Sequence, residues 1–340
     1  MFLNELFNKT AKKGLLFAAK LALTPECNLT CRHCYVGFSQ SRTLKTEEFK
    51  EVISQLARSG CLFLTLTGGE PITYPGFWEI ISFARQSKFF IRLFTNGTLI
   101  EEKAAVRLTR YGVNEVYISL YGHKPDIHEL ITGVRGSFDK TVKAIILLKR
   151  QGINVQVKSS IMTLNKEYPL EIENFCRKLG VKCNSSYLLS PRTDGSSEPC
   201  LLQYPDGLKS EMFSRIPPKS PTVSSENATN PCPAAENSCF IEYDGMLYPC
   251  VNYRYPCGSL LETSLHELWN SKKISEVREG KLTPGQCIGC SAINNCLRCP
   301  GLSYHEWGAK NGYSRFQCCQ TGLLKYIKER SVETDYESIC

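Results

Sequence analysis

Residues 26–37 read ECNLTCRHCYVG, which sets Cys27, Cys31 and Cys34 at C-x3-C-x2-C spacing. Thiolates bind soft metals and iron–sulfur clusters, and here their number matters. Four cysteines close a 4Fe–4S cube and restrict it to passing electrons. Three leave one iron open to a substrate or cofactor. Zinc is the competing reading, because its structural sites want four closed ligands, often as two close pairs. The only further ligand in this segment is His33, which falls between two of the cysteines. The spacing favours an open-cornered cluster over a zinc knuckle.

On either side of this loop the chain alternates strand-like and helix-like segments. FAAKLALT (17–24) reads as a buried strand that delivers the cysteines. TEEFKEVISQLARSG (46–60) predicts a helix with Thr46 as N-cap, acids in the first turn and a terminal glycine. Strands follow at 61–69, 89–97, 113–122, 153–162 and 181–190. Helical patterns lie between them at 76–87, 101–112, 138–152 and 168–180. Strict alternation implies a parallel sheet with right-handed crossovers. A closed barrel needs eight units, and the alternation stops near Ser190 after six strands. The fold class expected is α/β: a partial (β/α)6 TIM-like barrel, with its cysteine loop at the C-terminal end of the first strand. Such barrels place their chemistry at that end.

The expected organisation is a barrel at 1–190, a Pro/Ser/Thr/Asn-rich linker or lid at 191–231, a small metal-rich domain at 232–320 and a tail at 321–340. The cysteines support this division. Of the chain's 18, ten fall between Cys232 and Cys319. The opening MFLNELFNKTAKKG is too polar for a secretory signal, and no run of about 18 apolar residues suggests a membrane span. A cytoplasmic protein is expected, so the cysteines read as metal ligands rather than disulfides. The formal charge is +8. Ligating thiols are deprotonated, and three clusters of about +2 each on eleven thiolates would leave only about +3. No Arg/Lys stripe accompanies that charge, so no nucleic-acid partner is expected.

With TGGEP (67–71) one strand after the three cysteines, the chain resembles the radical S-adenosylmethionine (radical SAM) enzymes. The resemblance implies that the open iron chelates S-adenosylmethionine. Reductive cleavage then gives a 5′-deoxyadenosyl radical that abstracts hydrogen from unreactive carbon. It also implies that Gly68, Gly69, Glu70 and Pro71 hold the cofactor's amino group. By location Ser119 matches a ribose or carboxylate contact, Asn96 a residue at the same mouth, and Arg135 a basic contact to the carboxylate. Lys158 is a weaker candidate. Each has a plain alternative as a cap, turn or solvated residue.

Cys232 is followed by twelve residues, Gly245, four residues and Cys250, and CIGCSAINNCLRC supplies Cys287, Cys290, Cys296 and Cys299. This resembles the SPASM domain, a C-terminal iron–sulfur extension of some radical SAM enzymes. One interval departs from its pattern, with two residues rather than three before Cys299. The resemblance implies two auxiliary 4Fe–4S clusters: Cys232, Cys239, Cys250 and Cys299 for one, Cys287, Cys290, Cys296 and Cys318 for the other. Cys319 competes with Cys318, and Cys257 is a spare thiol. The competing reading is a pair of zinc ribbons.

By the same resemblance the expected activity is oxidative modification of a ribosomally made peptide or protein, by a cross-link or related C–H functionalisation. A flavodoxin- or ferredoxin-type donor would supply electrons, and an auxiliary cluster would remove the one left on the substrate. Only 26 residues precede Cys27, so a leader peptide is expected to rely on a separate binding protein or on the barrel itself. Val251 stands where sulfatase-activating relatives carry an acid, which argues against that branch. The alternatives are a small-molecule substrate such as a haem or cofactor precursor, and a non-catalytic multi-cluster electron carrier. No general base is assigned; Tyr243 and Asp244 are candidates only by position.

Overall fold

The computed structural model describes residues 2–37, 41–203, 232, 234–279, 287, 299–308, 312–314 and 318. Cys290, Cys296 and Cys319, and most of the expected linker and tail, lie outside these residues.

Ala18–Ala22 (β1) pairs in parallel with Phe63–Thr67 (β2). Beyond β2 come Phe90–Thr95 (β3), Glu115–Ser119 (β4), Asn154–Ser160 (β5) and Lys182–Ser186 (β6), in sequence order and all parallel. This is the partial (β/α)6 barrel expected. Apolar side chains on one face of the strands, Leu21, Leu64, Leu66, Ile91, Leu93, Val116, Ile118 and Val157, are fully buried. The helices cover that face. Thr46–Arg58, for example, turns Phe49, Val52, Ile53 and Leu56 toward the core, one stripe at helical spacing. The opposite face carries Lys20, Arg92, Phe94, Tyr117 and Lys158, all half-buried or exposed. Successive strand residues point to opposite faces, so one strand supplies both the core and the lumen.

The sheet does not stop at six strands. Ser238–Ile241 (β7) pairs in parallel with β1, with Ala19 opposite Cys239. Met246–Tyr248 (β8) and Gly258–Ser259 (β9) follow antiparallel, so β1 is interior in a nine-stranded sheet. The physical reason is the second edge of β1, which six strands alone would leave with unpaired backbone groups. The apolar run at 239–241 supplies the partner.

Other local differences are small. The helix at 46–58 is capped by Lys45 rather than Thr46. The Lys45 N–H donates to Glu48 Oε2 at 2.7 Å, and Arg42 holds the same carboxylate through both oxygens. Helices at Phe2–Lys12 and Pro125–Thr132 were not expected from the pattern. Among the described residues no helix is long and apolar enough to cross a membrane.

Candidate metal centre

The loop after β1 is held from three sides. The Gly69 N–H donates to Thr24 O and the Glu70 N–H to Glu26 O, each at 2.7 Å, which ties the end of β2 to the loop's start. On the far side Thr30 N donates to Thr132 O and Arg32 N to Ile131 O. These carbonyls come from the last turn of the Pro125–Thr132 helix. From the third side, Asn96 at the end of β3 donates through Nδ2 to Asn28 Oδ1 at 2.9 Å and to Cys27 Sγ at 3.8 Å. The two glycines make this approach feasible. A Cβ on Gly69 would stand 2.2 Å from Glu26 O, and Gly68 has a φ of +136° with its Cβ position 2.5 Å from Thr24 O.

Cys27, Cys31 and Cys34 are thereby brought together. Burial pushes the Cys31 thiol up to about 12, and Cys34 and Cys27 push in the same direction. Burial also raises Cys27 and Cys34. Three crowded thiols resist ionising alone, and a cationic metal core is what would offset that cost. Among the described residues no three His, Cys, Asp or Glu side chains converge closely enough for a single metal ion, and these three thiols are no exception. As a soft, sulfur-only donor set on one loop, they fit an iron–sulfur core.

Glu70 does not face this loop with a free carboxylate. Its Oε1 accepts from Thr95 Oγ1 at 2.8 Å and Ile72 N at 3.3 Å, and its Oε2 accepts from Asn96 N at 2.8 Å. Burial still pushes Glu70 up to about 7 against these three donors. The side chain is thus a brace between β2 and β3, and only the backbone of 68–71 is left to meet a ligand. Ser119 neighbours the Tyr121 hydroxyl, and the Tyr121 ring packs edge-on against His33 at 4.5 Å. Arg135 is exposed in the turn after Gly133, whose Cβ position lies 2.3 Å from Thr30 Oγ1. Asp244 is a turn residue that accepts the Met246 N–H, and Tyr243 is a core residue whose carbonyl accepts from Leu44.

In the C-terminal part the structure brings Cys232, Cys250 and Cys299 together. Cys299 is pushed up to about 12 by burial and then by Cys250 and Cys232, and Cys250 rises by burial and Cys232. Cys239, grouped with them by the resemblance, is elsewhere. It sits on the buried face of β7, 3 % exposed, and its charged neighbours are Cys61 and Cys257. Its strand position dictates this, since its partner Ala19 faces the helices. Cys287 and Cys318 are among the described residues, while Cys290 and Cys296, expected in the same set, lie outside them.

Sequence reasoning missed Thr95 and Tyr121, whose partners are set only by strand register. It also missed Lys20 and Arg92, although a lone cation in the apolar runs FAAKLALT and FFIRLF is a legible sign of an inner face.

Comparison with known proteins finds two family models on this chain. A family model of the Radical SAM superfamily matches residues 21–179, and one of the SPASM iron–sulfur cluster-binding domain matches 232–300. The chain is 26% identical over 320 residues to the AdoMet-dependent heme synthase of Methanosarcina barkeri, covering 84% of this chain and 91% of that one. It is 28% identical to the subtilosin biosynthesis protein AlbA of Bacillus subtilis, covering 86% and 69%. Its fold is similar to Streptococcus suis SuiB bound to the precursor peptide SuiA, with TM-score 0.71, 15% identity, and 92% and 79% coverage.

Proposed function

The chain belongs to the radical SAM enzymes with a C-terminal SPASM domain, and from that premise we propose that it oxidatively modifies a ribosomally made peptide or protein. The observation that carries the radical half is the loop of Cys27, Cys31 and Cys34, clamped against Gly68 and Gly69 at the mouth of the barrel. An iron–sulfur cluster and S-adenosylmethionine held there would supply a 5′-deoxyadenosyl radical able to take hydrogen from carbon, given one electron from a flavodoxin- or ferredoxin-type donor.

The chain's own residues do the rest. Three thiols hold the cluster and leave one corner vacant. The backbone of Gly68–Pro71 receives the cofactor's amino group, with Glu70 fixing that backbone from behind. Ser119 and Arg135 receive its carboxylate. Asn96 donates to the Cys27 sulfur, and a hydrogen bond to a cluster sulfur tunes its potential. Cys232, Cys250 and Cys299 would hold an auxiliary cluster able to accept the substrate's extra electron, and Cys287, Cys290, Cys296 and Cys318 would hold a second one.

For a peptide substrate the supporting feature is β6. Among the described residues it is a sheet edge with no outer neighbour, and an extended segment can add to such an edge. AlbA is named for subtilosin biosynthesis, and SuiB is described bound to a precursor peptide. The second reading is a small molecule. It is favoured by the heme synthase likeness, which runs over nearly that enzyme's whole length.

Anaerobic reconstitution tests the proposal. About twelve irons per chain, at four per cube, with 5′-deoxyadenosine released on reduction, is the expected result. The same iron without release of 5′-deoxyadenosine leaves an electron carrier, and two or three zincs without iron leave a scaffold. Either outcome refutes it.

A further inference from the structure

The inner face of the barrel sheet carries unbalanced positive charge. Strand register places Lys20, Arg92, Glu115 and Lys158 on it. By the same alternation Glu242, just past β7, follows Phe240 on that face. Both carboxylates are already paired. Glu115 takes Arg92 Nε at 2.7 Å, and Glu242 takes Arg254 Nη1 at 2.7 Å.

The two lysines differ. Among the described residues neither has a carboxylate within ion-pair distance. Their ammonium groups converge instead on aromatic faces. Lys158 Nζ stands 4.7 Å from the Phe94 ring centroid and 5.3 Å from that of Tyr117, and Lys20 Nζ is 6.0 Å from Phe94. Burial lowers the Lys158 pKa, with Lys20 and Arg92 pushing the same way. Among the described residues, like charges are gathered here beyond the carboxylates that could offset them, an arrangement that attracts an anion from outside.

Position gives the anion a purpose. Lys158 lies opposite Ser119 in the register, at the cofactor end of the lumen. Lys20 acts electrostatically on Cys250 of the auxiliary set. The donors are two ammonium point charges, without the guanidinium fork or helix N-terminus that favours phosphate. We propose that Lys20 and Lys158 form a subsite for a carboxylate of the substrate, held in the lumen against Phe94 and Tyr117. This rests on the barrel mouth being the site of radical chemistry.

A carboxylate can come from a small organic acid or from an acidic side chain of a peptide, and two probe pairs separate the sources. One is coproporphyrin III against its tetramethyl ester, the other a glutamate-rich decapeptide against its glutamine counterpart. Each is titrated into the reconstituted protein with S-adenosylmethionine present. The expected result is that one acid binds more tightly than its neutral partner. That preference should fall at least about tenfold in Lys20→Met and in Lys158→Met, the equivalent of one charge-assisted hydrogen bond, while Lys20→Arg retains most of it. Lys103→Met, on a solvent-exposed helix position, serves as control. Equal affinity for acid and neutral probes, retention of the preference in both methionine variants, or loss of S-adenosylmethionine binding in Lys158→Met overturns the proposal. Whether the wild-type protein releases 5′-deoxyadenosine is a separate readout, and its failure sinks the function proposed above instead.

Discussion

Glu70 accepts the Asn96 backbone N–H at 2.8 Å, so the end of one barrel strand fastens the end of the next directly beneath the cysteine loop. Every donor to this carboxylate is fixed by backbone or by Thr95. Glu70→Gln must therefore turn an amide N–H toward another N–H or a hydroxyl. The expected cost is about 1–3 kcal/mol for one buried donor left unpaired. Denaturant unfolding of the two proteins under anaerobic conditions measures it, and an unchanged midpoint would contradict the bracing role.

Asn96 touches the Cys27 sulfur through its other end. Hydrogen bonds to cluster sulfurs favour the reduced, more negative state. Asn96→Ala should lower the midpoint potential of the N-terminal cluster by about 20 to 60 mV, the one-electron equivalent of a neutral hydrogen bond. An EPR-monitored redox titration reports it. A potential unmoved by the substitution would reduce Asn96 to a turn residue.

Cys31→Ala removes one of three ligands from the first loop. Iron content should fall by about four per chain and 5′-deoxyadenosine formation should be abolished. Turnover that survives the change would place the cofactor elsewhere.

Cys239 and Cys250 separate the resemblance from the geometry. If Cys239 is a packed thiol of the β7 core, Cys239→Ala should keep the full iron content at a modest cost in stability, because removing one buried sulfur leaves only a small cavity. Cys250→Ala should lose about four irons. Equal iron loss in the two variants would return Cys239 to the ligand set.

His128 gives the fold a pH dependence of definite sign. Its Nδ1 accepts the Tyr121 N–H, and burial lowers its pKa from 6.5 to about 4. The folded state therefore favours the neutral ring. The stability this contributes is present above pH 6.5 and is lost as the pH falls from 6.5 toward 4, by up to about 3 kcal/mol. In His128→Asn, an amide oxygen can accept the same N–H without titrating. The difference in melting temperature between the two proteins should narrow over that window, and a constant difference would remove His128 as the cause.

Much of the barrel was legible because its signals are local. The expected strand at 89–97 is observed as Phe90–Thr95, and the expected helix at 138–152 as Ser137–Arg150. Periodicity and glycine stops set such limits to within a turn. The three-cysteine loop was legible for the same reason. What escaped is non-local. Residues 238–241 are too short to announce a strand, and their partner β1 lies more than two hundred residues upstream. The separation of Cys239 from Cys232 and Cys250 follows from that pairing, and the placing of Lys20 and Lys158 on one face follows from the register that runs from β1 to β5. Spacing along the chain carries no information about either.

The pairing of β1 with β7 also governs the order of assembly. During synthesis β1 emerges early, yet its second flank stays bare until residue 241 has been made. A nascent chain halted near residue 190 would present that flank as a sticking edge, the kind that recruits other chains. A shortened polypeptide would therefore be expected to aggregate rather than yield a working half-enzyme.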